Sequence, residues 1–161
     1  MISVKEIGSI DGLPVKEALL QSDTSSVSIL SFGAITKNWF VKAEDSRIPI
    51  LLGFDSLEAY QSDDNYIGII AGRVANRTQN GRFKLDNFEY RLPINSYPHH
   101  LHGGHSGFGK QNWDFEFDSK NCAVQMAYGS SHLEEGYPGS VDVTVVVSLK
   151  GNTLSYEMSA I

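Results

Sequence analysis

The stretch VDVTVVVSLKGNTLSYEMSAI, residues 141–161, alternates apolar with polar residues, pauses at Gly151-Asn152, and alternates again to its end. Period-two runs of this kind are the signature of half-buried strands, and a two-residue break of Gly and Asn is where a hairpin loop takes positive φ. The pattern recurs upstream in VSILSFGA (27–34), GRFKLDNFEYRLPI (81–94), WDFEFD (113–118) and CAVQMAYG (122–129). Within the second of these, Asp86-Asn87 separates two alternating runs and predicts another hairpin. Helical periodicity is confined to FDSLEAYQSD (54–63), where Asp55 or Ser56 would cap a short amphipathic turn. The expectation is an all-β chain built from antiparallel strands. Because the last run continues to Ile161 without a polar tail, the chain reads as if truncated within a sheet, which leaves an edge to be paired or covered.

The bulk numbers narrow the function classes. A length of 161 residues fits one domain, and 41% hydrophobic against 20% charged residues is the composition of a packed protein. A net charge of -6 gives no reason to expect nucleic acid or anionic lipid as a partner. A single cysteine, Cys122, excludes an internal disulfide and fits a reducing compartment. The N-terminus lacks the charged start and apolar core of a secretion signal, and no apolar run approaches membrane-spanning length, so the expected location is cytoplasmic, with no membrane partner.

Residues 95–112 carry no periodicity, and a long ordered loop inside a small domain is usually functional. Its centre, HHLHGGHSGFGK (99–110), holds four histidines and four glycines. His100 and His102 would share one face of an extended segment, with His105 three further on, which is a conceivable metal arrangement. A cupin-like site would need a glutamate after them; Gly103, Gly104, His105 and Ser106 follow instead, and no metal is assigned. His99 and His105 read as solvated loop residues. His102 is different, because Leu101 anchors one side and Gly103-Gly104 lets backbone or ligand approach closely. A histidine so placed is a candidate proton donor or acceptor. The second polar cluster is GIIAGRVANRTQNGRF (68–83), which fits neither phosphate-loop spacing. There Asn76 and Arg77 offer fork-like donors plus an amide acceptor, suited to a polyhydroxylated ligand, while Arg73 fits a ligand contact or an internal ion pair equally well. Trp39, Phe108 and Trp113 could stack on a ligand ring or belong to the core.

Four segments in order, LLGFDSLEAY, YIGIIAGRVANRTQNGRFKLDNFEYRLPIN, LHGGHSGFGKQNWDF and EEGYPGSVDVTVVVSL, resemble the N-terminal half of the aldose 1-epimerases, or galactose mutarotases. The resemblance implies that residues 1–161 are the N-terminal part of one large antiparallel β-sandwich, the galactose mutarotase-like supersandwich. It implies an enzyme that interconverts the α and β anomers of aldohexoses such as galactose and glucose by acid-base ring opening, without cofactor or metal. By the same resemblance Asn76, Arg77 and His102 bind the monosaccharide, and His102 also serves catalysis near the ring oxygen. The family's principal acid histidine, in an N-H-[ST]-Y-F-N-L type motif, its carboxylate base and a further substrate-binding aspartate have no counterpart among these residues. His132, in SSHLEEGYPG, matches a different family segment, and Glu134 and Glu135 fit a role in their own turn better than a catalytic one. Two other readings remain at this point: a non-catalytic sugar-binding module, and a structural fragment that pairs through its open sheet edge as a homodimer or with a missing C-terminal half.

Overall fold

The computed structural model describes all 161 residues. Five strands form an antiparallel meander: β1 (Ile2–Ile10), β2 (Leu13–Gln21), β3 (Ser25–Leu30), β4 (Thr36–Ala43) and β5 (Ser46–Pro49) pair in that order. Helix α1 (Leu57–Gln61) follows, with Ser56 as its N-cap accepting from the Ala59 N–H. Three small pieces come next: β6 (Arg77–Thr78), the hairpin of β7 (Arg82–Leu85) with β8 (Phe88–Arg91), and β9 (His100–Leu101), which pairs back onto β6. A second antiparallel sheet runs β10 (Asp114–Asp118), β11 (Ala123–Ser130), β12 (Val141–Lys150), β13 (Thr153–Ala160).

The alternating runs form strands as expected, and their turns use the residues that the sequence marks for them. Asp86 and Asn87 both take positive φ between β7 and β8, and Gly151 does so between β12 and β13. The register then sorts side chains by face. Val143, Val145, Val147 and Leu149 stand beside Tyr128, Met126, Val124 and their β13 partners, and pack against Ala18, Leu20, Val27 and Ile29 of the first sheet in one buried cluster. Each fully buried valine, leucine or methionine contributes roughly 1.5–3 kcal/mol, so this inter-sheet layer is the main cohesive element.

The first sheet has a second covered face. Ile10, Val15, Leu30, Phe32 and Ile35 cluster with Tyr60 of α1 on its outer side. β2 escapes a periodicity reading because its buried apolar residues lie on both faces, Val15 on one and Ala18 and Leu20 on the other, while Lys16 is exposed and Glu17 is buried, so apolar and polar residues do not alternate. β1 is broken by a register shift between Glu6 and Gly8. Glu17 is buried on the outer side of β2 between Lys5 and Lys37, at 3.0 and 3.5 Å; burial alone would raise its carboxyl, but the two ammonium groups outweigh it and hold it below the usual range.

The two sheets do not overlap completely. Beyond the shared core, Trp39, Leu51 and Ile70 from one side and Leu154, Tyr156 and Met158 from the other line an open apolar groove, spanned by a 2.5 Å hydrogen bond between Thr36 Oγ1 and the Tyr156 hydroxyl. No helix is long and apolar enough to cross a membrane. Met126 is fully buried at the centre of the inter-sheet layer. Met126→Ala is expected to cost about 2–5 kcal/mol in denaturant unfolding, against about 0.5 kcal/mol or less for Gln125→Ala on the exposed face of the same strand; equal effects would contradict the assigned register.

Candidate functional site

The ladder between β6 and β9 is only two pairs long, Arg77 with Leu101 and Thr78 with His100. A single side chain reinforces it from the far edge: Asn95 accepts the Leu101 N–H through Oδ1 at 2.7 Å and donates from Nδ2 to the Leu101 carbonyl at 2.9 Å. The carboxamide thus acts as a one-residue strand partner. Asn76 precedes the ladder with φ 67 and His102 follows it with φ 50, both left-handed.

At this open end the two residues bond each other twice. The His102 N–H donates to the Asn76 carbonyl at 3.1 Å, and the Asn76 N–H donates to His102 Nδ1 at 3.0 Å. A neutral imidazole has one N–H, so an Nδ1 that accepts leaves the proton on Nε2. Asn76 Oδ1 takes the Arg77 N–H at 2.9 Å, which fixes the carboxamide beside the arginine. The Tyr66 ring leans on His102, with centroids 4.8 Å apart and planes at 58°. Partial burial, then the nearby Arg77 charge, lower the His102 pKa from its ordinary 6.5, so the ring is neutral at pH 7. The result is a neutral Nε2–H donor beside a guanidinium and a carboxamide.

The adjacent Asn76 and Arg77 are therefore brought together with His102, which is distant in sequence. His100 goes elsewhere. It is fully buried, its Nδ1–H donates to the Pro93 carbonyl at 2.8 Å, and Nε2 accepts from the Tyr137 hydroxyl at 2.8 Å. His100 and His102 therefore do not converge on one centre, because β9 ends between them and His102 turns into a left-handed backbone. His99 Nδ1 accepts from the Asn80 N–H, 19 positions away, and His132 Nδ1 from the Gly139 N–H within its own loop.

Arg73 is wholly engaged: Nε donates to Ser130 Oγ, Nη1 to the Pro138 and Gly139 carbonyls, and Nη2 to those of Ser130 and Ser131. It pins residues 130–139 and has no donor to spare for a ligand. Glu134 accepts from the Tyr128 and Ser130 hydroxyls, while Glu135 accepts two backbone N–H groups across the loop. Phe108 and Trp113 are core residues, edge-on to one another and buried, and Trp39 lines the apolar groove with its Nε1–H donating to Ser25 Oγ. Tyr66 and Asn95 had not stood out in the sequence, since a lone aromatic and a lone amide in irregular segments carry no spacing signal.

A family model for aldose 1-epimerase matches residues 16–161. The chain belongs to the aldose 1-epimerase family. It is 42% identical over 144 residues to a galactose mutarotase of Homo sapiens, covering 89% of this chain and 42% of that protein. It is 31% identical over 153 residues to an aldose 1-epimerase of Haemophilus influenzae, covering 94% and 44%. In structure it resembles the galactose 1-epimerase of Lactobacillus acidophilus with a TM-score of 0.88 at 27% identity, covering all of this chain and 48% of that one. The chain thus spans less than half the length of the relatives it matches, and the fold of its 161 residues is that of the corresponding part of a family member.

The lowered His102 pKa makes a signed prediction. The fold favours the neutral ring, so the stability contributed by His102 is present above its unfolded value of 6.5 and is lost as pH falls from there through the lower folded midpoint. An NMR titration of His102 is expected to give a midpoint below 6.5 with Nε2 as the protonated nitrogen of the neutral form. In Arg77→Ala the midpoint is expected to recover by the smaller share only, because burial is the larger cause; a full return to the ordinary value would show that charge dominates instead.

Proposed function

We propose that this chain supplies the sugar-holding side of an aldose 1-epimerase site. Arg77 and Asn76 hold hydroxyls of an aldohexose of the galactose or glucose type, and His102 donates from Nε2–H to the ring oxygen. The observation that carries this reading is the doubly bonded Asn76–His102 pair, which presents one fixed donor beside a guanidinium with no Asp or Glu salt-bridge partner. The relatives, named for galactose and for aldoses, support the substrate class.

Anomer interconversion opens the ring when the anomeric hydroxyl loses a proton and the ring oxygen gains one. After rotation about C1–C2 the ring closes on either face. In its resting tautomer His102 polarises the ring oxygen by hydrogen bonding. To hand over a proton it would first have to become imidazolium, giving up the Asn76 N–H bond at Nδ1. The base is none of three carboxylates in this region whose oxygens are already engaged: Glu134 by the Tyr128 and Ser130 hydroxyls, Glu135 by the His105 and Ser106 N–H groups, and Asp63 by the Asn65 and Ile67 N–H groups. No cofactor or metal is needed. A pairing role for the sheet edge has separate support in the open apolar groove along β13, a surface suited to a further sheet layer, from a second copy or from a C-terminal half.

Polarimetry of freshly dissolved α-D-galactose, read beside equilibrium galactose binding, separates the possibilities. The expected result is binding that the Arg77→Ala, His102→Ala double variant weakens by at least about tenfold, since two charge- or dipole-assisted contacts are lost, with a mutarotation rate equal to buffer. A rate above buffer that the double variant loses would show that the chain assembles an acid-base pair of its own. Binding that the double variant leaves intact would overturn the site.

A further inference from the structure

We propose that Glu135 is a positioning residue for His102: its carboxylate clamps the backbone of the turn that presents the imidazole. The inference rests on the reading of His102 as the sugar-facing donor, and its geometry is independent of the sugar. Glu135 lies 33 positions along the chain from His102, on the opposite side of the loop. Its Oε2 accepts the His105 N–H at 3.2 Å and its Oε1 accepts the Ser106 N–H at 2.7 Å. Hydrogen bonds to an ionised acceptor are among the stronger ones, and two from one carboxylate fix orientation as well as distance.

The turn needs such a clamp. His102, Gly103 and Gly104 take φ of 50, 90 and 108, three successive residues in the left-handed half of backbone space. Glycine reaches that region without steric cost but brings no side chain to hold itself there. On one side the turn rests on the main chain at Gly72, where a Cβ at Gly103 would overlap the Gly72 carbonyl. On the other it rests on Glu135, where a Cβ at Gly104 would overlap the carboxylate. Within the turn the Gly104 N–H returns to the Leu101 carbonyl at 3.0 Å, so the next two donors, at His105 and Ser106, are the ones that Glu135 takes.

Glu135 is itself held from elsewhere. Leu133 and Glu135 have φ of 66 and 48, and the segment around them is pinned by the guanidinium of Arg73 on the carbonyls of Ser130, Ser131, Pro138 and Gly139. Tyr137, two residues on, donates to His100, the neighbour of Leu101. The position of the carboxylate is thereby imposed by Arg73 and Tyr137. It can transmit that position to the turn and so to the His102 ring, whose Nδ1 must meet the Asn76 N–H. In this respect the adjacent pair divides its work: Glu134 binds hydroxyls of the preceding strand β11, Glu135 the loop across from it.

The test is NMR of the 161-residue chain labelled with nitrogen-15, as wild type, Glu135→Ala and Glu135→Gln, reading amide exchange at His105 and Ser106 together with the ring nitrogens of His102. In Glu135→Ala those two amides are expected to exchange about tenfold faster or more, and the His102 ring is expected to pass from a single Nε2–H tautomer to a mixture. Glu135→Gln keeps one acceptor and is expected to fall between, which also serves if the alanine variant does not fold. Release of the two amides with the His102 ring signals unchanged would overturn the proposal, because Glu135 would then hold only the backbone at residues 105 and 106. Adding galactose keeps the two ideas apart: a wild-type His102 that ignores galactose defeats the sugar reading, while the ring signals without sugar decide the role of Glu135.

Discussion

The site depends on one reciprocal tie, in which Asn76 and His102 each donate a backbone N–H to the other, one to a carbonyl and one to an imidazole nitrogen. It extends a strand ladder of only two pairs to a third pair, the one that presents the His102 imidazole. A ladder so short has little cohesion of its own, and each neighbouring contact compensates for that weakness. Asn95 seals the outer edge of Leu101, Tyr66 covers the His102 ring, and the Gly103-Gly104 turn is wedged between Gly72 and Glu135. The arrangement fixes a tautomer as well as a position, and the tautomer decides which atom faces a ligand.

The sandwich supplies the rigidity from which this small assembly is suspended. The inter-sheet layer of Leu20, Val27, Ile29, Met126, Val145 and Val147 fixes β11 and β12, and thus the segment 130–139 between them that Arg73 grips. Phe108 and Trp113, edge-on within the same core, anchor the far end of the histidine-rich loop. Core and site are continuous: the loop begins at a strand paired to Arg77 and ends on side chains buried between the sheets. Placing donors on a scaffold of this kind reduces the reorganisation needed when charge develops on a substrate oxygen.

Much of this was legible in the sequence, and the boundary of legibility has physical causes. Strands with one wet face announced themselves by alternation, as in Val141–Lys150, and their turns by Asp86-Asn87 and Gly151-Asn152. Strands β1 and β2 did not: β1 shifts register between Glu6 and Gly8, and β2 buries apolar residues on both faces, so neither alternates cleanly. Within the site, the N-R and H-G-G segments pointed to Asn76, Arg77 and His102, and the family match covers both segments. What the sequence could not show was which imidazole is buried. His100 and His102 are two positions apart, yet one is enclosed by Pro93 and Tyr137 while the other meets Asn76 and Tyr66. That choice is made by where β9 ends, a tertiary fact. The clamp by Glu135 and the full engagement of Arg73 are likewise products of distant segments meeting.

Under the proposed reading, in which Asn76, Arg77 and His102 hold the sugar, binding is separated from proton transfer, since donors set by backbone geometry need not titrate. The most direct test of that division is a galactose titration followed by amide and side-chain nitrogen-15 NMR of this chain. Saturable shifts concentrated at Asn76, Arg77, His102 and Tyr66, with the His102 ring still protonated on Nε2, are the predicted result. Shifts confined to the apolar groove of Trp39, Leu154 and Met158, or none that saturate, would contradict it.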